Sequence, residues 1–190
     1  MTDNWNLLGH NWAVDMLRRH IATGEARHAY LFAGPAGLGR RSLALSFARA
    51  LNCANPPAPG DFCGECRDCK QIAAMQHPDL RIVEPTIINP DDRKELIPAQ
   101  YGEIRIQQIR DLQRIINLKP YQSAYRPIIV LRFNQTAAQA ANAFLKTLEE
   151  PPAHVILLLT ADNPESLLPT IVSRCEVLRL RPLPIEQVQR

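Results

Sequence analysis

Short, almost wholly apolar runs alternate along this chain with stretches of helical period. Ala29-Tyr30-Leu31-Phe32-Ala33, Pro127-Ile128-Ile129-Val130-Leu131 and Val155-Ile156-Leu157-Leu158-Leu159-Thr160 have the composition of strands covered on both faces. Residues 79–83 and 176–180 predict two more strands. Trp12, Met16, Leu17 and Ile21 predict a helix over 11–21, and an alanine- and leucine-rich stretch predicts another over 40–51. A short helix is expected through Ile72 to Met75. Apolar positions 106, 109, 112, 115 and 116 predict a helix that stops near Pro120, and 136–150 predicts one ended by Pro151-Pro152. Residues 85–103 are proline-rich and charged without a clear period, so a long surface loop is expected there. Strands alternating with helices imply an α/β fold, a parallel five-stranded sheet flanked by helices. In such folds the ligand crevice lies beyond the carboxyl ends of the strands. Residues 182–190 predict a linker and the first turn of another helix, as if the chain were a fragment of something longer.

Composition narrows this only slightly. At 190 residues, 46% hydrophobic and 22% charged, the chain can bury one substantial core, or one core plus an appendage. A net charge of +3 and a pI near 8.7 permit contact with nucleic acid without requiring it. No apolar run approaches the ~20 residues that span a bilayer, and Met1-Thr2-Asp3-Asn4 is no secretory signal. No membrane role is expected. Of five cysteines, Cys53, Cys63, Cys66 and Cys69 fall within 17 residues, and Cys175 stands apart. This spacing predicts a reduced, cytoplasmic chain with a metal site, not a disulfide framework.

The spacing C-x9-C-x2-C-x2-C supplies four thiolates, the donor set of a closed structural zinc site with no open position for water. Buried or reactive thiols without metal are the plainer alternative. A third possibility, a zinc module reading nucleic acid, is weakened by the composition of 63–70. That stretch mixes both charge signs, and Phe62 is its sole aromatic neighbour where base-stacking surfaces need several.

Gly34-Pro35-Ala36-Gly37-Leu38-Gly39-Arg40-Arg41-Ser42 has the outline of a phosphate-binding loop between a strand and a helix. The pattern asks for lysine at 40 and a hydroxyl at 41. Arg40 and Arg41 stand there instead. A guanidinium is bulkier than an ammonium and differently shaped, and it cannot ligate magnesium. Ser42 does not compensate, because one helical step rotates a side chain by roughly 100°. The loop therefore reads either as a decayed nucleotide site or as a tight turn exploiting glycine's backbone freedom. An ATPase of this architecture also needs acidic residues at the end of its third strand. Leu131-Arg132-Phe133-Asn134-Gln135 offers none there, so hydrolysis is not expected. Residual nucleotide binding through Arg40 is the enzyme-like alternative.

Two features remain. Glu149 and Glu150 close the helix at 136–150, where they oppose the macrodipole by roughly 0.3–1 kcal/mol each; a partner surface would account for them. Ser173-Arg174-Cys175 follows Leu168-Pro169-Thr170-Ile171, and read by itself Arg174 is a surface arginine near a helix end.

Taken together, these segments resemble one family over essentially the whole chain: the delta-prime subunits of the bacterial DNA polymerase III clamp loader, within the AAA+ superfamily. The resemblance is carried by Leu8-Gly9-His10, His28-Ala29-Tyr30-Leu31-Phe32, the altered loop 34–42 and the four cysteines. His77-Pro78-Asp79, residues 140–152 and 168–175 complete it. It implies a nucleotide-binding-like domain over 1–181, a zinc module inserted at about 53–69, and a helical lid beginning in 182–190. It implies a non-catalytic subunit that helps load the sliding clamp onto primed DNA, binds no ATP itself, and contacts gamma/tau and delta subunits. It also implies that Arg174 serves as a trans-acting arginine finger at a neighbour's ATP, with Glu149 and Glu150 near that interface. Thr160 or Asp162 falls around a sensor position, and neither is assigned a role. The gamma/tau subunits share the cysteines and the Ser-Arg-Cys segment but keep the lysine, hydroxyl and acidic strand end absent here. A gamma/tau-like ATPase with residual activity is therefore the alternative.

Overall fold

The computed structural model describes Trp5 and residues 7–92 and 95–182. Strand β1 (Ala29–Ala33) is buried along its whole length. Its period of two sends Tyr30 and Phe32 to one face and Ala29, Leu31 and Ala33 to the other. Strands β5 (Arg126–Val130) and β6 (Val155–Ala161) are equally buried. With β2 (Arg81–Val83) and β7 (Glu176–Arg179) they form one sheet in the order β2-β5-β6-β1-β7, every pair parallel. Leu31 pairs with Leu159 on one side and Val177 on the other. Two apolar layers cover the two faces. Helices α1 (Asn11–Ala22), α2 (Arg40–Asn52) and α3 (Arg67–Ala73) supply Leu17, Phe47 and Ile72 to the first. Helices α4 (Ile106–Ile116), α5 (Ala138–Glu149) and α6 (Pro169–Val172) supply Ile109, Phe144 and Ile171 to the second. The α/β architecture read from the pattern of apolar runs is the one observed.

Three local expectations change. Residues 85–103 are not a plain loop. They hold an antiparallel hairpin of β3 (Thr86–Ile88) and β4 (Leu96–Pro98), with Ile87 opposite Ile97. Three residues per strand are too few to show a period. The hairpin is fixed by reciprocal Thr86–Glu103 backbone bonds of 3.1 Å and by Gly102, where a Cβ would lie 2.8 Å from the Thr86 carbonyl. Second, α3 begins at Arg67, before the predicted 72–75, so Cys69 lies on the helix and Cys66 caps it. Third, β2 begins at Arg81, because Asp79 is used elsewhere. Its carboxylate accepts the backbone N–H groups of Tyr121, Gln122 and Ser123 at 2.6, 2.9 and 3.2 Å. The expected lid at 182–190 lies, from 183 onward, outside the described residues.

Candidate functional site

The glycine loop joins the carboxyl end of β1 to α2 and lines a cleft of about 640 Å³. Gly37, Gly39, Arg40, Arg41 and Ser42 face this cleft together with Glu84, Pro98, Ala99, Gln100, Leu131, Arg132 and Thr160. Gly39 caps α2 in the left-handed region at φ 81° and has no side chain to bond the first N–H groups of the helix, which lack intrahelical partners as in any helix. Gly34 plays a different part: a Cβ there would stand 2.6 Å from the Leu180 carbonyl oxygen, so its smallness lets β7 close against β1. The N-terminal segment clamps the loop from outside, with His10 Nε2 3.1 Å from the Leu38 carbonyl oxygen.

Both arginines of the loop are engaged. Arg40 donates from Nη1 to Asp162 Oδ1 at 2.9 Å, with its own side chain only 10% exposed. Asn134 holds the other oxygen of Asp162 at 2.9 Å. Arg41, also on the cleft lining, donates from Nη2 to the Met75 sulfur at 2.7 Å. Where β5 ends, Arg132 adopts the left-handed conformation (φ 51°, ψ 51°), at a cost of about 1–2 kcal/mol for a residue with a Cβ. Its N–H donates to Thr160 Oγ1 at 2.8 Å, and its guanidinium donates to the Ala99 carbonyl at 3.0 Å and faces Glu84 at 3.6 Å. A carboxylate thus does reach the cleft. It comes from the end of β2 and is matched by an arginine.

The four cysteines meet at one point. Cys53 ends α2, Cys63 lies in the following turn, Cys66 caps α3 and Cys69 is buried within it. Their sulfurs all lie within 4.8 Å of one another, and those of Cys53 and Cys63 are 3.6 Å apart. Zinc–sulfur bonds of about 2.3 Å place tetrahedral sulfurs about 3.8 Å apart, so the donor set fits such an ion. Backbone N–H groups of Cys63, Cys66 and Cys69 point at the sulfurs of Cys53, Cys63 and Cys66 at 3.2, 3.3 and 3.4 Å. The N–H groups of Cys66 and Glu65 lower the Cys63 thiol to about 6, whereas burial pushes Cys53 and Cys69 up. The cluster is tied to the core through Asp61, which accepts from Trp5 Nε1 at 2.9 Å and Arg18 at 3.1 Å. Phe62 packs on Trp5 with ring centroids 5.9 Å apart, under the Arg49 guanidinium at 3.9 Å. It is thereby engaged within the fold.

Arg174 lies away from the cleft lining, at the end of α6. Its Nη2 donates to Glu149 Oε1 at 2.8 Å and its Nη1 to the Thr170 carbonyl at 2.9 Å. Neighbouring Cys175 is pushed up to about 12 by burial.

The sequence profile of the family described as DNA polymerase III, delta subunit matches residues 9–184. The chain belongs to this family. It is 41% identical over 158 residues to the DNA polymerase III subunit delta' of Pseudomonas aeruginosa, covering 83% of this chain and 44% of that one. To the gamma/tau subunit of Mycobacterium tuberculosis it is 37% identical over 164 residues, covering 86% and 26%. The crystal structure of a gamma subunit-related protein from Thermotoga maritima superposes with a TM-score of 0.62 at 25% identity, covering 91% and 47%. The chain thus spans less than half the length of these relatives. The delta-prime resemblance and the AAA+ fold read from the sequence are both borne out.

In this delta-family chain, sequence reasoning missed the partners of the arginines. Asp162 and Glu84 stand 122 and 48 positions from the groups they pair with. No spacing rule links them. A signal did exist for Asp162, which follows directly on the apolar run of β6 and so had to emerge at the carboxyl edge of the sheet.

Proposed function

We propose that this chain is a non-catalytic delta-prime subunit of a bacterial DNA polymerase III clamp loader, working in the cytoplasm. In this reading residues 1–181 form a nucleotide-binding-like domain with a zinc module inserted at about 53–69, and 182–190 begins a helical lid. The subunit assembles with gamma/tau and delta subunits and reaches the sliding clamp and primed DNA through the complex. Cys53, Cys63, Cys66 and Cys69 hold a structural zinc, which when bound fixes the turn between α2 and α3.

The observation that carries the reading is the Arg40–Asp162 pair. The position where an ATPase keeps a free ammonium holds a guanidinium already matched by a carboxylate. At the other side of the cleft, Arg132 faces Glu84, so among the described residues the carboxylate lining the cleft there is already matched by an arginine. Arg174 is then the residue with chemistry to offer, donated to the ATP of a neighbouring subunit. Fingers of this kind contribute about 10³–10⁵ in rate.

Two measurements test this. The purified subunit is expected to hydrolyse no ATP, while Arg174→Ala in the assembled loader cuts ATP turnover with assembly intact. Unchanged turnover removes the finger role. The alternative of a nucleotide binder is favoured by the open 640 Å³ cleft beside the glycine loop. Calorimetric titration with Mg-ATP decides between them, and micromolar affinity selects the binder.

A further inference from the structure

Resting on that reading of Arg174, we propose that Glu149 is its positioning residue, holding the guanidinium ready before the neighbour's phosphate arrives. Glu149 is the last residue of α5 and lies 25 positions before Arg174. Its Oε1 accepts from Nη2 at 2.8 Å while the Thr170 carbonyl accepts from Nη1 at 2.9 Å. The two anchors hold the two terminal nitrogens of the planar fork, one each. They use two of the five N–H groups a guanidinium carries, and the side chain remains 34% exposed. The uncommitted N–H groups are the ones available to an incoming anion.

Stability does not account for the pair. A carboxylate in the last turn of a helix works against the macrodipole, and an ion pair this exposed contributes little to folding. The two effects are of similar size and opposite sign. What the pair does supply is order. A free arginine samples many rotamers and loses that freedom when it binds phosphate; one already pinned at two points has lost it beforehand. Glu149 at the end of α5, unfavourable for the helix taken alone, is explained by this second anchor.

The test uses the subunit in the assembled loader, with ATP turnover measured over a range of ATP concentrations. Glu149→Ala is expected to lower kcat by about 10- to 100-fold, the scale of a slightly misplaced group, with KM for ATP little changed. Glu149→Gln, which keeps a carbonyl acceptor, is expected to recover most of the loss. Wild-type turnover in Glu149→Ala overturns the proposal. So does a rise, which would make the carboxylate a brake competing with phosphate. Arg174→Ala, run alongside, separates the two levels. If it has no effect, the finger reading itself fails; if it is impaired while Glu149→Ala is not, only the positioning role is lost. Should Glu149→Ala not assemble, Glu149→Asp withdraws the carboxylate by one methylene, and full turnover there is equally fatal.

Discussion

Arg40 Nη1 and Asp162 Oδ1 lie 2.9 Å apart across 122 positions of sequence, joining the first turn of α2 to the end of β6. In the function proposed above, the pair spans the place where a nucleotide's terminal phosphates would meet a lysine in a working loop. Asp162 is half-exposed, so the pair contributes at most about 1 kcal/mol to stability. Its consequence is electrostatic: the charge that could have met a phosphate is already balanced.

On that proposal, Arg40→Lys is expected to give no ATP hydrolysis. The substitution restores one lysine, but position 41 still lacks a hydroxyl and Glu84 still faces Arg132. Phosphate release from Mg-ATP by the purified variant should match the buffer blank. Measurable turnover would show that a single side chain separates this cleft from a working one.

Asp79 offers a pH-dependent test of the fold. Burial raises its pKa, but three backbone N–H bonds from residues 121–123 and the Arg126 guanidinium together outweigh it, leaving the pKa below its ordinary 3.8. The folded state therefore binds fewer protons than the unfolded state as the pH falls towards these values. The stabilisation is full above the unfolded value and is lost as pH falls through the folded one. Asp79→Asn should flatten the acid side of the stability curve below about pH 4. Near neutrality it should cost about 3–5 kcal/mol, because Arg126 is left buried without its counter-charge. Urea unfolding at several pH values measures both; parallel curves for the two proteins would contradict the argument.

How far the sequence was readable follows from the range of each interaction. Strands β1, β5 and β6 declare themselves by continuous burial, and the cysteines by local spacing. The β3–β4 hairpin does not, because its three-residue strands are held by Glu103 and Gly102 rather than by pattern. His77-Pro78-Asp79 stood out as a motif, yet its work is tertiary. His77 Nε2 lies 3.0 Å from Asp68 Oδ1 on α3 and 2.9 Å from the Ser123 hydroxyl, linking the cysteine module to the approach of β5. Likewise the altered glycine loop was legible, but the carboxylates balancing Arg40 and Arg132 come from other strands and could only be found in three dimensions.

Metal removal should be felt at a distance. The purified subunit is expected to carry one zinc per chain by elemental analysis. Chelation should lower the unfolding temperature and change Trp5 fluorescence, because Trp5 bonds Asp61 and packs on Phe62 at the edge of the module. In zinc-finger peptides such ions supply about 10–16 kcal/mol of apparent binding energy. Here the sheet has its own core, so global folding should survive. A metal-free preparation with four freely titrating thiols and native stability would dismiss the site.

The last prediction concerns Arg132, which does two separable things. Its backbone occupies the left-handed region at φ 51°, and its guanidinium ties the β3–β4 hairpin to the cleft through the Ala99 carbonyl and Glu84. Arg132→Gly keeps the first and removes the second. Glycine tolerates this conformation without the roughly 1–2 kcal/mol that a Cβ costs, so the sheet should keep most of its stability. Hydrogen exchange should then quicken at the amides of β3 and β4 and hold steady in β5 and β6. Arg132→Ala loses the guanidinium and retains the backbone cost, so it should loosen the hairpin equally and be the less stable of the two. If the hairpin amides in both variants exchange as slowly as in the wild type, the latch is not what holds this segment over the cleft, and the Thr86–Glu103 ladder alone suffices.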